Sequence, residues 1–369
     1  MKKAYFITIH IGQNFGSVLQ AIASYIVLCR LLPDYEIRLV DYIPPRVTYS
    51  RILRNCVKSP KLFLKLPFSI IQRLYNNKLY LGDLKSICPM TKSVYNINQI
   101  SDAVEDADLL ITGSDQTWNS IHNEGIDRSY YWDFVTRNVD KISFASSFGR
   151  ECLPEEEYTF VKKALKDFKF VSVRENTGVD IINSMGLESE LFLDPSLLID
   201  KTEWDKFINK RLIDEHYILV YLPYNIKDIE IIEDGIRQLK HLTGLKVVSF
   251  SWKFYHDRVK FADKTIHYAS PINFLTLMHD ADYVITNSFH GTAFSIDLNK
   301  EFWVYSPSLF STRITSLLKL TGLENRLVTN TISKNQLTDR IDYLNVNRLI
   351  IKERGKVKET FAKLRIDKI

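Results

Sequence analysis

The sequence predicts an α/β protein of two similar halves, each a doubly wound sheet of parallel strands. Three observations carry this expectation. The chain opens β-α-β, with an apolar run at Lys3–His10, a helical pattern over Val18–Leu32 and a second run at Glu36–Tyr42. Asp106-Ala107-Asp108-Leu109-Leu110-Ile111-Thr112 and Asp280-Ala281-Asp282-Tyr283-Val284-Ile285-Thr286 then share one pattern: Asp-Ala-Asp, three apolar residues, a threonine. Finally, strand-like runs repeatedly end in small, polar turns that start a helical pattern, at the sheet edge where ligands bind in such folds.

The totals agree. A length of 369 residues suggests about two domains. Apolar content of 45% and charged content of 25% are ordinary for a globular chain. No apolar run reaches the ~18–20 residues of a membrane span. The start, Met1 to His10, alternates like a first strand and lacks a small-residue cleavage site, so it reads as a strand and not a signal peptide. Cys29, Cys56, Cys88 and Cys152 show no paired spacing, which suggests neither a disulfide framework nor a zinc site and fits a reducing cytoplasm. A net charge of +5 allows anionic substrates or an anionic membrane surface but does not argue for nucleic acid.

Taken in order, the first strand leads into Gly12-Gln13-Asn14-Phe15-Gly16-Ser17, a turn where a ligand could approach backbone N–H groups, or one that simply needs glycine. The helix that follows has Leu19, Ile22, Ala23, Ile26 and Val27 on one face. Residues 46–92 are a basic segment, with Arg51, Arg54, Lys58, Lys61 and Lys65 among its charges and Asp83 its one acid. One or two helices are expected there. They lie on an anionic membrane surface, or form a flap packed on their own domain.

The Asp-x-Asp pairs precede their strands and so sit opposite the expected site, which makes them turn residues and not metal ligands. Lys141–Arg150 reads as a strand that ends in a small, polar turn, and Phe170–Val173 as a strand, with a helix over Pro154–Asp167 between them. Arg174 ends the second of these strands as a candidate anion ligand; an ion pair with Glu175 or a neighbouring acid is the alternative. The second half has strands at Tyr217–Leu222, Lys246–Phe250 and Phe302–Tyr305, and helices at Ile229–Leu242, Ser270–His279 and Ile314–Leu320. Arg313 and Arg326 add positive charge near one rim. Lys352–Ile369 is expected to be a helix packed across the body.

The turn Thr286-Asn287-Ser288-Phe289-His290-Gly291-Thr292 is the strongest functional candidate. It joins a strand end to a helix N-terminus, which favours an anion. A histidine there can donate to that anion or move a proton.

Six strand-end motifs occur in order: Asn14-Phe15-Gly16-Ser17-Val18-Leu19-Gln20, Gly113-Ser114-Asp115-Gln116-Thr117-Trp118-Asn119, Ser147-Phe148-Gly149, Ser172-Val173-Arg174-Glu175, Asp194-Pro195-Ser196-Leu197-Leu198 and Ser288-Phe289-His290-Gly291-Thr292. On these the chain resembles the polysaccharide pyruvyl transferase family across roughly residues 5–330. The resemblance implies two Rossmann-like domains facing a cleft, similar to GT-B glycosyltransferases. The expected boundaries are 1–205, with the insertion 46–92, then 206–340, then a C-terminal helix over 341–369.

The resemblance also implies transfer of a pyruvyl group from phosphoenolpyruvate onto a hexose as a ketal. The glycan would be a lipid-linked capsular or exopolysaccharide repeat unit, and the enzyme cytoplasmic or peripheral on the membrane. Neither a metal nor a cofactor is called for beyond the co-substrate. His290 matches the family's essential histidine and Arg174 an arginine that binds the donor. Many members have Arg-Leu-His where this chain has Ser288-Phe289-His290, so Arg313 is the candidate for the missing charge. Ser288, Gly291 and Thr292 complete the donor side. Asp115 is the candidate base or acceptor of a sugar hydroxyl. Asn14, Gly16, Ser17, Gln20, Gly113, Ser114, Gln116, Asn119 and Ser147 are assigned to the acceptor side, with Trp118 and Phe289 stacking on the sugar or lining the cleft. The alternatives are a nucleotide-sugar glycosyltransferase or a non-catalytic glycan-binding protein of the same fold.

Overall fold

The computed structural model describes the chain except for residues 13, 49–65, 225–228, 251–258, 260, 268, 307–311, 330–331 and 365–369. The chain forms two compact units, Met1–Leu198 with Lys356–Ile369, and Ile199–Gly355. Five of the basic segment's ten positive residues, Arg51, Arg54, Lys58, Lys61 and Lys65, fall outside the described residues. Most of its described part is a helix, Leu66–Ile87. Tyr80 of that helix stacks on Phe15, ring centroids 5.0 Å apart, so this part packs on its own domain.

In the first unit β1 (Lys2–Ile7), β2 (Tyr35–Leu39), β3 (Leu109–Thr112) and β4 (Asp140–Ser143) form a parallel sheet ordered β2-β1-β3-β4. A short parallel pair, β5 (Ser172–Val173) and β6 (Glu190–Leu191), continues beside β4 through bridges at Ile142–Phe170 and Ser146–Val173. The sequence led us to expect longer strands at Lys141–Arg150 and Phe170–Val173. They are cut short because hydroxyls replace ladder bonds. Ser143 Oγ donates to Ser172 O (2.9 Å) and Ser172 Oγ to Ser143 O (2.7 Å). Ser143 Oγ also accepts from Ser172 N (2.8 Å), and Ser172 Oγ from Ala145 N (2.9 Å). Serine side chains compete with the backbone in this way.

The second unit carries β7 (Tyr217–Tyr221), β8 (Lys246–Phe250), β9 (Lys264–Ile266), β10 (Tyr283–Thr286), β11 (Glu301–Tyr305) and β12 (Leu327–Val328). Their order is β12-β11-β10-β7-β8-β9, every described pairing parallel. Strand order reverses between β1 and β3 in one unit and between β7 and β10 in the other. The crevice beyond the carboxyl ends at such a switch point is where open α/β sheets bind ligands.

The Asp-Ala-Asp repeat is structural, as its place before the strands predicted. Asp108 Oδ2 accepts from Lys3 N (2.7 Å) while Asp108 N donates to Lys3 O (2.8 Å). Asp282 treats Tyr217 the same way, at 3.0 Å in both directions. At the far end of each strand Gly113 N donates to Ile7 O (2.9 Å) and Asn287 N to Tyr221 O (3.4 Å). Two carboxylates thus set the same register in both halves, which makes the turn at Gly113–Gln116 the counterpart of that at Asn287–His290.

The last helix spans Tyr343–Lys363, starting within two residues of the expected boundary at 341 and ahead of the basic stretch at Lys352. Its Phe361 packs on Phe144 and Phe192, centroids 5.8 and 6.3 Å apart. Earlier in that helix Arg354 Nη2 donates to Asp297 Oδ1 (2.6 Å) and to Ile199 O (2.9 Å). Burial pushes the Asp297 carboxyl up to about 7, and Arg354 only partly offsets this. An acid with a raised folded pKa contributes stability that is full below its ordinary value, 3.8, and is lost as the pH climbs through about 7. We expect the melting temperature of the second unit to fall as the pH rises from about 4 to about 7, a loss on the order of 4 kcal/mol across that window. Asp297→Asn should flatten that profile. Superimposable pH–Tm curves for the two proteins would contradict the assignment.

Candidate active site

In the first unit the site grows from the carboxyl ends of β1, β3, β4 and β5. Beyond β1, Thr8 Oγ1 donates to Ser114 O (2.8 Å) and accepts from Gln20 Nε2 (2.8 Å). The helix Phe15–Leu31 starts here because Asn14 caps it, its carboxamide oxygen accepting from Gly16 N (3.0 Å) and Ser17 N (3.4 Å). That cap brings Ser17 over the end of β3. Gly113 must be glycine: its φ is +113°, and a Cβ would lie 2.5 Å from Phe144 O. Asp115 follows with φ +69°, a backbone conformation unusual for a residue with a side chain.

Asp115 is the hub. Its Oδ1 accepts from Gln116 N (2.9 Å) and Arg174 Nη2 (2.7 Å), and its Oδ2 from Ser17 Oγ (2.7 Å). The other end of the guanidinium donates to Asp194 Oδ2, which also accepts from Ser114 Oγ (3.2 Å). Asp194 Oδ1 takes Ser196 N (3.0 Å) and Ser196 Oγ (2.6 Å). The Arg174 side chain is 0% exposed. Burial disfavours its charge, but Asp115 and Asp194 more than offset this and raise its pKa above the ordinary arginine value.

The next residue, Glu175, points elsewhere. Its Oε1 accepts from Ser147 Oγ (2.9 Å), Phe148 N (2.9 Å) and Gly149 N (3.0 Å). This fixes the turn against which Gln116 and Asn119 pack, themselves joined by a 2.7 Å bond from Asn119 Nδ2 to Gln116 Oε1. The structure therefore gathers Ser17, Ser114, Asp115, Gln116, Asn119, Ser147 and Arg174.

Several expected roles are revised. Arg174 faces two carboxylates and has no exposed edge for an incoming anion; the partners are neighbouring acids, not Glu175. Trp118 is 1% exposed, stacked among Tyr131, Phe148 and Phe168 with its indole N–H on Tyr130 O (3.1 Å), so it has no face for a sugar. Gln20 is spent on Thr8, Ile9 O (3.2 Å) and Ser17 O (3.0 Å), and Asn14 on its cap. Two acids were passed over as site residues, Asp194 and Glu175. The signal available was their position: each ends or follows a strand beside the lone arginine. A buried pair was missed as well, His10 Nε2 at 3.1 Å from Asp41 Oδ1 just beyond β1.

In the second unit β10 ends at Thr286, whose Oγ1 donates to Tyr221 O (2.7 Å) and accepts from Ser288 N (3.1 Å). Ser288 caps the helix Phe289–Asp297 by accepting from Gly291 N (3.3 Å). Gly291 is needed for close packing: a Cβ there would lie 2.3 Å from Thr286 Oγ1. Thr292 turns its hydroxyl back onto Ser288 O (2.9 Å), so that side chain shapes the turn and does not face a ligand.

His290 is buried in the first turn, its ring 5.3 Å from that of Phe289 at 77°. The Arg313 guanidinium lies 5.4 Å from the other ring in contact, that of Phe289. Arg313 is 2% exposed, and among the described residues no carboxylate and no hydrogen-bond acceptor pairs with it. An uncompensated buried guanidinium is costly. Beside a helix N-terminus it makes a place for an anion. The two arginines thus differ in kind: Arg174 is neutralised by two carboxylates, and Arg313 keeps its charge available.

Among the described residues no cluster of three or more His, Cys, Asp or Glu is arranged to hold a metal ion, and no helix is long and apolar enough to cross a membrane. Solved structures share the architecture. The UDP-GlcNAc 2-epimerase of Methanocaldococcus jannaschii superposes with TM-score 0.52 at 11% identity, over 99% of each chain. The UDP-N-acetylglucosamine 2-epimerase of Rickettsia bellii gives 0.52 at 10% identity, covering 99% of this chain and 97% of its own. The UDP complex of S. aureus MnaA gives 0.51 at 14% identity, covering 97% and 91%. At these identities the likeness shows the fold alone, an α/β architecture of parallel sheets of the class that the sequence predicted. No curated protein matches the sequence. The family model for polysaccharide pyruvyl transferase matches residues 14–308, a stretch that contains all six strand-end motifs, both switch-point turns and every strand of the two sheets except β1 and β12; the chain belongs to the polysaccharide pyruvyl transferase family.

Proposed function

We propose that the chain transfers the pyruvyl group of phosphoenolpyruvate onto a hexose of a lipid-linked bacterial capsular or exopolysaccharide repeat unit, forming a ketal with two of its hydroxyls. A galactose-like acceptor is our choice within that class. The observation that carries the donor assignment is Arg313, a buried guanidinium with no carboxylate beside it among the described residues, set against the aromatic ring next to His290. A carboxylate and a phosphate on one small donor need such fixed positive charge. The helix N-terminus capped by Ser288 adds to it.

In this reading Ser288, His290 and Arg313 serve the donor, and Asp115 and its neighbours serve the acceptor. His290 gives a proton to the methylene carbon, which leaves an oxocarbenium-like centre at C2. One sugar hydroxyl attacks that centre. The second displaces phosphate and closes the ketal. Asp115 receives a hydroxyl proton, and Arg174 and Asp194 hold Asp115 in place. The basic segment 46–92 would hold the enzyme near an anionic membrane that carries the acceptor.

The test incubates the protein with phosphoenolpyruvate and lipid-linked glycan in vesicles with and without anionic lipid. The expected product is a glycan carrying a ketal, identified by mass and NMR, with release of inorganic phosphate. Release of UDP from a UDP-sugar in place of phosphate would replace this reading with glycosyl transfer. In the same assay Arg313→Ala should raise the apparent KM for phosphoenolpyruvate at least about 30-fold, the loss of a charge-assisted contact worth ~2 kcal/mol. An unchanged donor KM would remove Arg313 from the donor site.

A further inference from the structure

Three of the donors that reach Asp115 among the described residues are not equivalent. Arg174 Nη2 and Gln116 N hold Oδ1 at 2.7 and 2.9 Å, and neither a guanidinium nor a main-chain amide gives up its proton at neutral pH. Ser17 Oγ holds Oδ2 at 2.7 Å. A hydroxyl can donate to one group while accepting from another. Of these three contacts, only the serine can therefore carry a proton to the carboxylate.

Its placement suits that task. Ser17 is the third residue of the helix Phe15–Leu31, next to the switch point between β1 and β3. Asn14 and Gln20 hold its backbone, at 3.4 Å to Ser17 N and 3.0 Å to Ser17 O. Both side chains of the pair lie just below the surface, Ser17 being 5% and Asp115 4% exposed. The Arg174–Asp194 pair behind Asp115 keeps its carboxylate turned toward the serine.

We propose that Ser17 is a catalytic proton relay between the acceptor and Asp115, an inference that rests on the pyruvyl-transfer reading above. As the first sugar oxygen bonds to C2 of the donor, its O–H bond breaks and the proton passes to Ser17 Oγ. The Ser17 O–H breaks in the same event, and that proton passes to Asp115 Oδ2. Over a turnover two sugar hydroxyl protons are lost. One balances the proton that His290 places on the methylene carbon, and the other leaves with phosphate. No oxidant or further reactant enters.

The experiment measures phosphate release from phosphoenolpyruvate with a saturating glycan acceptor for wild type, Ser17→Ala, Ser17→Thr, Asp115→Asn and the Ser17→Ala/Asp115→Asn double variant. Far-UV circular dichroism and Tm accompany each. Ser17→Ala is expected to lose about 100-fold in kcat with the donor KM unchanged, and Ser17→Thr, which keeps the hydroxyl, to stay within about fivefold of wild type. The double variant should be no slower than Asp115→Asn, because both changes cut one route. Rates in mixtures of light and heavy water should curve for wild type, with two protons in flight, and run straight for Ser17→Ala. A Ser17→Ala enzyme within about threefold of wild type, a Ser17→Thr enzyme as slow as Ser17→Ala, or additive losses in the double variant would overturn the relay alone. Absence of phosphate release by the wild type would overturn the transfer reading itself, and the relay with it.

Discussion

Replacing His290 by glutamine is expected to lower kcat about 1,000-fold, inside the ~10²–10⁴-fold span of a general acid, with the far-UV spectrum unchanged. The expectation rests on where the ring sits. His290 is in the first turn of a helix whose start is set by the Ser288 cap and by Gly291 packing on Thr286. Phe289 abuts it on one side and carries Arg313 across its own ring. Glutamine fills much of the same space and keeps a hydrogen-bonding end, yet it cannot deliver a proton. It therefore separates chemistry from packing better than alanine, which would also open a gap in a buried site. His290→Ala should be at least as inactive and somewhat less stable. A glutamine variant within about tenfold of wild-type kcat, measured by phosphate release, would show that His290 is not the acid.

Arg174→Ala should cost stability before it costs affinity. The guanidinium neutralises Asp115 and Asp194 where both carboxylates are buried. Removing one partner of a buried ion pair leaves an uncompensated charge, at ~3–5 kcal/mol. Here two carboxylates are left. For a unit of this size that is a fall in Tm of roughly 10 °C or more. Lysine should recover only part of it, because a single ammonium cannot span both acids as Nη1 and Nη2 do. Arg174→Ala combined with Asp194→Asn should melt higher than Arg174→Ala alone, since one of the two orphaned charges is then gone. If Arg174 were a donor ligand, the alanine variant would keep its Tm and raise the KM for phosphoenolpyruvate. That outcome in thermal melts and donor titrations would reverse the assignment.

Much of the architecture was legible in the chain. Apolar runs placed β7, β8, β10 and β11 within a residue or so, and β1 apart from its last three expected residues, because a strand buried on both faces needs a continuous apolar stretch. The doubled Asp-Ala-Asp was read as two similar halves, and the paired Asp108–Lys3 and Asp282–Tyr217 bonds give the reason. The short β5 was not legible. Its neighbour's ladder bonds are made by Ser143 and Ser172 hydroxyls, and a serine in a sequence does not announce whether it will bond outward or to the next strand. The last helix starts at Tyr343, close to the expected boundary at 341, although its first turns carry exposed apolar residues, Leu344 and Ile351, which blur the amphipathic pattern.

For the site, local pattern sufficed wherever one turn holds all the parts. Ser288, Phe289, His290 and Gly291 are consecutive, so strand end, cap and histidine come as a single signal. The sequence by itself determined the family, the α/β class, the two halves and the turn that carries His290. Only the tertiary structure decided the state of the two arginines. Arg174 and Arg313 carry the same charge and each lies near a strand end, and nothing local tells them apart. Folding brings Asp115 and Asp194 from distant parts of the chain onto Arg174 and leaves Arg313 against an aromatic ring. Whether a buried cation can serve a ligand depends on the counter-charges within a few ångströms of it, and those are set by which strand ends meet, not by which residues are adjacent in sequence.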